Sequence, residues 1–382
     1  MNRILKKTEN FIKKVVLKVE GAIGFFNISQ NVCNTKYNKN CLVSYIRYPF
    51  EFRTNHMHQA EEQVYEIVNI LSRLGYNVDV INYNDNRIVF FKKYDLLFEI
   101  SVKDDPIYKK FIKRGAKKIA YLTGSEHNFS NNAEQKRLND LYRRRGIMLI
   151  PRRQVPTISK NIEKYDKCIM IGNKYNFNTY NKYNIKNISF VPNTGYDFAF
   201  VFDKYLKKST SFIYFGSVGC VHKGLDLLLE IFTEKNFPCK LYVCGDYEKE
   251  KDFIKEYSNE LFNSNNIIPV GFVNVFSDVF RKMCEECVFS ILPSCSEGCA
   301  GTVSTSISAG LIPICSRECG YEENEVIILD NCSKECIKNT IIECSNININ
   351  TIEKMSKKCI SLYESKYNIG NFSKCMEQAL RY

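Results

Sequence analysis

The chain has 382 residues, 45% hydrophobic and 25% charged, a length that suits two domains of ~100–200 residues and a balance that excludes a disordered tail. Lys and Arg number 54 against 42 Asp and Glu, a net charge of +12. The surplus is local: residues 1–200 carry 34 basic and 18 acidic side chains and residues 201–382 carry 20 and 24, so the two halves differ in sign and, by expectation, in work.

Residues 1–40 read as a basic helical extension. Arg3, Lys6, Lys7, Lys13, Lys14 and Lys18 surround Ile4, Phe11, Val15 and Val19 at helical spacing. Such a helix either lies on an anionic membrane surface or packs as a solvated leader. Its lysines interrupt any signal-peptide core, and nowhere do ~18–20 apolar residues run together. The expected location is cytoplasmic, with peripheral attachment at the inner face of the membrane.

Residues 41–192 follow a strand–helix rhythm: strands at Cys41–Ile46, Val78–Ile81, Ile88–Phe91, Leu96–Ile100, Ile119–Leu122 and Cys168–Ile171, and a helix over Ala60–Leu74 ended by Gly75. Val191-Pro192-Asn193-Thr194-Gly195 is a turn-rich hinge. The rhythm restarts in residues 193–365 with a strand at Ser211–Phe215, a loop over Gly216–His222 and a helix over Lys223–Phe232. Further strands fall at Cys239–Cys244, Ile267–Val270, Val288–Leu292 and Ile312–Cys315. Thr351–Leu380 reads as helical, and residues 366–382 as a helix that crosses back to the first domain. The fold class is α/β, two doubly wound Rossmann-like domains facing each other across a cleft, with ligands expected at the carboxyl ends of the strands.

Seventeen cysteines do not make a disulfide scaffold in so long a chain, and most read as small buried hydrophobes. Cys284/Cys287, Cys295/Cys299, Cys315/Cys319 and Cys332/Cys336 have zinc-like spacing but sit in apolar or periodic segments without a second knuckle, so no metal is expected. His56 and His58 share a face only in an extended segment, which argues against a metal there too.

Two loops carry the chemistry. Pro293-Ser294-Cys295-Ser296-Glu297-Gly298-Cys299-Ala300-Gly301-Thr302-Val303 follows a buried strand and opens a helix ending at Gly310. Its small residues and the helix N-terminus present main-chain N–H groups to an anion such as a diphosphate, while Glu297 can accept sugar hydroxyls; a plain turn with a capping Glu is the other reading. Gly216-Ser217-Val218-Gly219-Cys220-Val221-His222-Lys223-Gly224 has the same setting, with Lys223 able to place a point charge on a phosphate.

Together these loops resemble the donor-binding domain of GT-B glycosyltransferases, specifically the large retaining family numbered four. Gly216, Lys223-Gly224 and Leu225–Leu229 match its opening motif, and Pro293, Ser294, Glu297, Gly298 and Gly310 fall in register with its later signature. Val191-Pro192-Asn193 resembles the interdomain Pro-Asn, and Gly271-Phe272 the loop against the nucleotide base. The resemblance implies a nucleotide-diphosphate sugar as donor substrate with no cofactor, and retaining, metal-independent transfer to an acceptor hydroxyl. Lys223 and the N–H groups of Gly298–Val303 would then stabilise the leaving diphosphate and Glu297 would orient the sugar. The donor-binding set it implies is Gly216, Ser217, Lys223, Gly271, Phe272, Glu297, Gly298, Gly301, Thr302, Val303 and Thr305.

Two positions depart from the family pattern: Thr305 stands where a second Glu meets the ribose, and Ser217 where an Arg helps to bind diphosphate. In the first half, Leu74–Val80 resembles the family's helix-to-strand passage. His127, after the strand end at Thr123-Gly124, falls where members often carry a histidine at the reaction centre, which makes it a catalytic candidate with Lys223 and Glu297; an ordinary loop histidine is its alternative.

Lys109, Lys110, Lys113, Arg114, Lys117 and Lys118, and Arg143–Arg145 with Arg152-Arg153, are basic runs for which a solvated helix face competes with an anionic lipid or lipid-linked acceptor. Nucleic acid is not expected, because no recognition motif accompanies the charge. The expected function is sugar transfer in surface-glycan or lipid-linked saccharide synthesis, onto a glycan or lipid-linked acceptor. The alternative is a catalytically silent GT-B module that binds a glycan or a partner enzyme.

Overall fold

The computed structural model describes residues 27–51, 58–85, 88, 90, 92–100, 102, 110–198 and 208–381. The basic extension, except for its last residues, and the segment from Arg53 to Met57 lie outside the described residues.

The first sheet has seven strands, β1 (Ile28–Ser29), β2 (Lys39–Tyr45), β3 (Tyr76–Asn82), β4 (Tyr94–Glu99), β5 (Ile112–Leu122), β6 (Lys167–Ile171) and β7 (Ile188–Val191), in the order β1-β3-β2-β4-β5-β6-β7. Only β1 is antiparallel to its neighbour, and β2 pairs β3 in the register Val43↔Val80. Its main helices are α1 (Gln59–Arg73), α2 (His127–Arg145) and the short α3 (Lys174–Asn178). In α1 Val64, Ile67, Val68 and Leu71 form a buried stripe, and the His58 side chain caps the first turn by accepting from Ala60 N. The polar α2 starts on a Glu126 cap and stops at Gly146 in the left-handed region.

The second sheet comprises β8 (Lys208–Gly216), β9 (Lys240–Gly245), β10 (Ile267–Gly271), β11 (Cys287–Leu292), β12 (Ile312–Ser316) and β13 (Ile327–Leu329), all parallel, in the order β10-β9-β8-β11-β12-β13. Its helices are α4 (Leu225–Phe232), α5 (Lys251–Asn263), α6 (Asp278–Glu286), α7 (Gly301–Ser308), α8 (Lys334–Ser345), α9 (Ile349–Leu362) and α10 (Ile369–Leu380). The strand order reverses between β8 and β11, which opens a crevice at their carboxyl ends. The two loops singled out in the sequence leave from those ends.

Several expectations change. Ile88 and Phe90 are in no strand, and the lysines from Lys113 to Lys118 lie on β5, not on a helix, because the strand begins at Ile112 and bulges at Gly115, whose φ is 81°. The helical run to Leu380 is broken by a π-turn at Tyr363–Tyr367 and by Asn368, which caps α10 by accepting from Asn371 N. Past that break α10 lies on the first domain, where Ser373 Oγ donates to Glu66 at 2.6 Å and Arg73 meets Glu377 at 3.3 Å. All seventeen cysteines are free thiols, and no group of residues suited to a metal occurs among the described residues. No described helix is long and apolar enough to cross a membrane.

The charge asymmetry has a structural outlet. Arg144 reaches Asp226 at 2.6 Å and Glu230 at 3.3 Å, Arg145 reaches Glu260 at 2.7 Å, and Arg152 reaches Asp252 at 2.6 Å, each from the first domain to the second. Buried Arg137 donates to Pro293 O at 2.7 Å. Three of the five arginines in the second run therefore lie in an interdomain seam, while Arg143 pairs with Asp140 on its own helix at 2.9 Å. Asp226 is wholly buried; burial raises its pKa while Arg137 and Arg144 oppose the rise. Arg144→Ala strands that carboxylate and is expected to cost about 2 kcal/mol in urea unfolding, less in an Arg144→Ala/Asp226→Asn double variant.

Candidate active site

Between the domains lies a cavity of about 650 Å³. The first domain contributes Tyr45, His58, Gln59, Glu61, Thr123, Arg153 and Ile171 to its wall; the second contributes Gly216, Ser217, Lys223, Asp246, Phe272, Glu297, Gly301, Thr302 and Thr305. It is the crevice that the strand order opens, roofed by the facing domain.

Its centre is an ion pair. Gly224 takes φ 75° and caps α4, so Lys223 lies ahead of the helix rather than on it, and its Nζ meets Glu297 Oε1 at 2.6 Å. Ser294 Oγ donates to the same oxygen at 2.9 Å. Burial alone would raise the Glu297 pKa, but Lys223, Arg153 and His222 overcome it and hold the carboxyl at about 2. Glu297 Oε2 has no protein partner among the described residues. The ammonium of Lys223 has two further N–H donors. His222 Nε2 lies 2.7 Å from Ser296 O, and burial lowers its pKa, so the neutral ring donates there and steadies the loop.

The backbone is selective about which donors it offers. Gly219 N and Cys220 N are taken by Glu250 Oε1 at 2.5 and 3.1 Å, so that part of the first loop is no phosphate cradle. In the second loop Ala300 N donates to Cys319 O and Val303 N to Ala300 O. Gly301 and Thr302, in the uncapped first turn of α7, are left with N–H groups that have no partner among the described residues. Thr302 Oγ1 is buried and equally unbonded. Gly245, at φ 137°, is needed where β8 and β9 end side by side: a Cβ there would stand 1.7 Å from Gly216 O.

Other expected residues fall elsewhere. Gly298 is not on the cavity wall; an added Cβ would lie 2.4 Å from Thr123 O, so the glycine permits backbone-to-backbone contact between domains. Beside it Ser125 Oγ and Asn176 Nδ2 donate to Glu297 O at 2.6 and 3.0 Å. Val303 is buried in the core, and Gly271 ends β10 just outside the cavity while Phe272, 74% exposed, lines it. Thr305 lines the wall, but its hydroxyl donates to Gly301 O and accepts from Gln59 Nε2 at 3.0 Å.

His127 is also displaced from the expected role. It opens α2 with its ring buried off the cavity wall, where Nδ1 accepts from Ile158 N at 3.2 Å and lies 2.5 Å from Glu126 Oε1. Burial lowers its pKa although Glu126 opposes, so the neutral ring serves as a brace for the Glu126 cap. The histidine on the wall is His58, whose Nδ1 accepts from Ala60 N at 3.2 Å and whose proton is therefore on Nε2 when neutral. Sequence reasoning missed His58, Gln59 and Arg153 as wall residues; the arginine run was visible, but not which member enters the cleft.

The fold, two doubly wound domains with a crevice at their facing strand ends, is that of the GT-B glycosyltransferases. Residues 198–368 match the family model for glycosyl transferases group 1. Among solved structures, TarM from S. aureus is similar at 12% identity and a TM-score of 0.53, over 85% of this chain and 58% of its own, so the chain spans under two thirds of TarM. A glycosyltransferase from Rickettsia africae is similar at 12% identity and 0.59, over 90% of this chain and 100% of its own. HepE from Anabaena, in complex with UDP and glucose, is similar at 11% identity and 0.54, over 90% and 99%. No curated protein matches the sequence.

Proposed function

We propose that the protein is a retaining glycosyltransferase that moves a sugar from a nucleotide-diphosphate donor to an acceptor hydroxyl, in surface-glycan or lipid-linked saccharide synthesis. The observation that carries this reading is the Lys223–Glu297 pair beside the open first turn of α7, inside the interdomain cavity. The base would rest on Phe272, near the edge-packed rings of Tyr196 and Phe276. The diphosphate would lie between Lys223 and the N–H groups of Gly301 and Thr302, and Glu297 Oε2 would take a sugar hydroxyl. The bond from the anomeric carbon to the phosphate oxygen breaks as the acceptor oxygen bonds the same carbon. The acceptor proton passes to the departing phosphate, and fixed donors stabilise the charge that grows there. Tyr45, His58 and Thr123 border the acceptor side.

Titration calorimetry against a panel of nucleotide sugars, followed by assay of nucleoside diphosphate release with and without glycan acceptors, tests this. Binding of one donor class with slow hydrolysis is the expected outcome; no binding at millimolar donor would overturn it. A second reading, a silent module that holds a glycan or partner enzyme, draws on Thr305, whose hydroxyl is committed to Gln59 and Gly301. Donor binding without turnover for any acceptor would favour it.

A further inference from the structure

Four arginines at the first domain's edge face the second. Arg144, Arg145 and Arg152 each end on a carboxylate of the second domain. Arg153 does not: it lines the cavity, and its guanidinium has neither a hydrogen bond nor an ion pair among the described residues. Its place is nevertheless fixed. Both Glu134 oxygens accept from Arg153 N, at 2.9 and 3.1 Å, which anchors its backbone without the side chain. Its stem then crosses Gly219, where an added Cβ would stand 2.5 Å from Arg153 Cγ and 3.1 Å from Cδ. Lys223, the other permanent cation on the wall, is already engaged with Glu297. A guanidinium delivered across a glycine and left unpaired beside a committed lysine has the form of an oxyanion ligand: its planar fork suits two phosphate oxygens at once.

We infer that Arg153, carried by the first domain, binds the distal phosphate of a nucleoside diphosphate held by the second. This rests on the glycosyltransferase reading above. As the anomeric carbon–oxygen bond breaks, its electron pair stays on that phosphate, and Arg153 and Lys223 share the charge until the acceptor proton arrives. Field effects agree, since Arg153 lowers the pKa of Glu297 without bonding to it.

The test uses the full chain and calorimetry with UDP, GDP and ADP and their monophosphates. Arg153→Ala is expected to weaken the diphosphate of the preferred base by about 10–100-fold and its monophosphate by less than about 2-fold. Arg153→Lys is expected to fall between, and Ser217→Arg in the Arg153→Ala background to regain affinity, because Ser217 lines the same cavity from the other domain. Equal losses for mono- and diphosphate, or none, would overturn the assignment while leaving the glycosyltransferase reading intact. A wild-type chain that binds none of the six nucleotides would remove both.

Discussion

Lys223→Met is expected to cost about 3–5 kcal/mol of stability, because it strips a buried carboxylate of its nearest cation. The Lys223 and Glu297 side chains are only 6% and 11% exposed, and the remaining cation nearby, Arg153, makes no hydrogen bond to the carboxylate. A Lys223→Met/Glu297→Gln double variant removes both charges and should recover most of that loss, whereas donor binding should vanish in each single variant and in the double. Urea unfolding and nucleotide-sugar titration on the same three proteins separate the two effects. Stability that falls no further than a surface exchange in Lys223→Met would contradict the geometry of the pair.

The pair also sets an acid limb. The folded-state pKa of Glu297 is about 2 against an ordinary 4.5, so its contribution is complete above about 4.5 and is lost as pH falls toward 2. That difference corresponds to about 3 kcal/mol. Unfolding free energy measured from pH 6 to 2 should therefore slope less in Glu297→Gln than in wild type, and an unchanged slope would show that another group carries the limb.

Gly298→Ala is expected to force the domains apart. The new Cβ would stand 2.4 Å from Thr123 O and 2.9 Å from Gly124 Cα, backbone atoms that cannot rotate away. Overpacking of this kind costs about 3 kcal/mol where relaxation is blocked, and here relaxation breaks the donations from Ser125 and Asn176 to Glu297 O. The radius of gyration from solution scattering should rise while each domain keeps its secondary structure by circular dichroism, and donor affinity should drop although the substituted residue is off the cavity wall. An unchanged radius and affinity would mean that the contact can slide.

Legibility tracked locality. The loops around Lys223 and Glu297 stood out because each follows a buried strand and opens a helix, a pattern confined to about ten residues, and the structure puts both loops at the strand reversal between β8 and β11. The small residues of the second loop were read as one phosphate cradle, but main-chain hydrogen bonds divide them: Ala300 and Val303 are spent internally, Gly298 faces the other domain, and Gly301 and Thr302 are left open. His127 was misplaced because position after a strand end does not say which way a ring turns; the Glu126 cap and the protein core decided it.

The amino-acid sequence by itself determined the two α/β series, the turn-rich segment after β7 and the residue types of the donor-side loops, because hydrophobic periodicity and turn chemistry act over short stretches. The +12 charge and its uneven split were equally plain, yet their use was not. Only docking of the domains paired Arg144, Arg145 and Arg152 with acids more than eighty residues away and left Arg153 in the cleft. A charge run reports how many cations a segment has, whereas the tertiary structure decides which of them meet a carboxylate and which one faces a ligand.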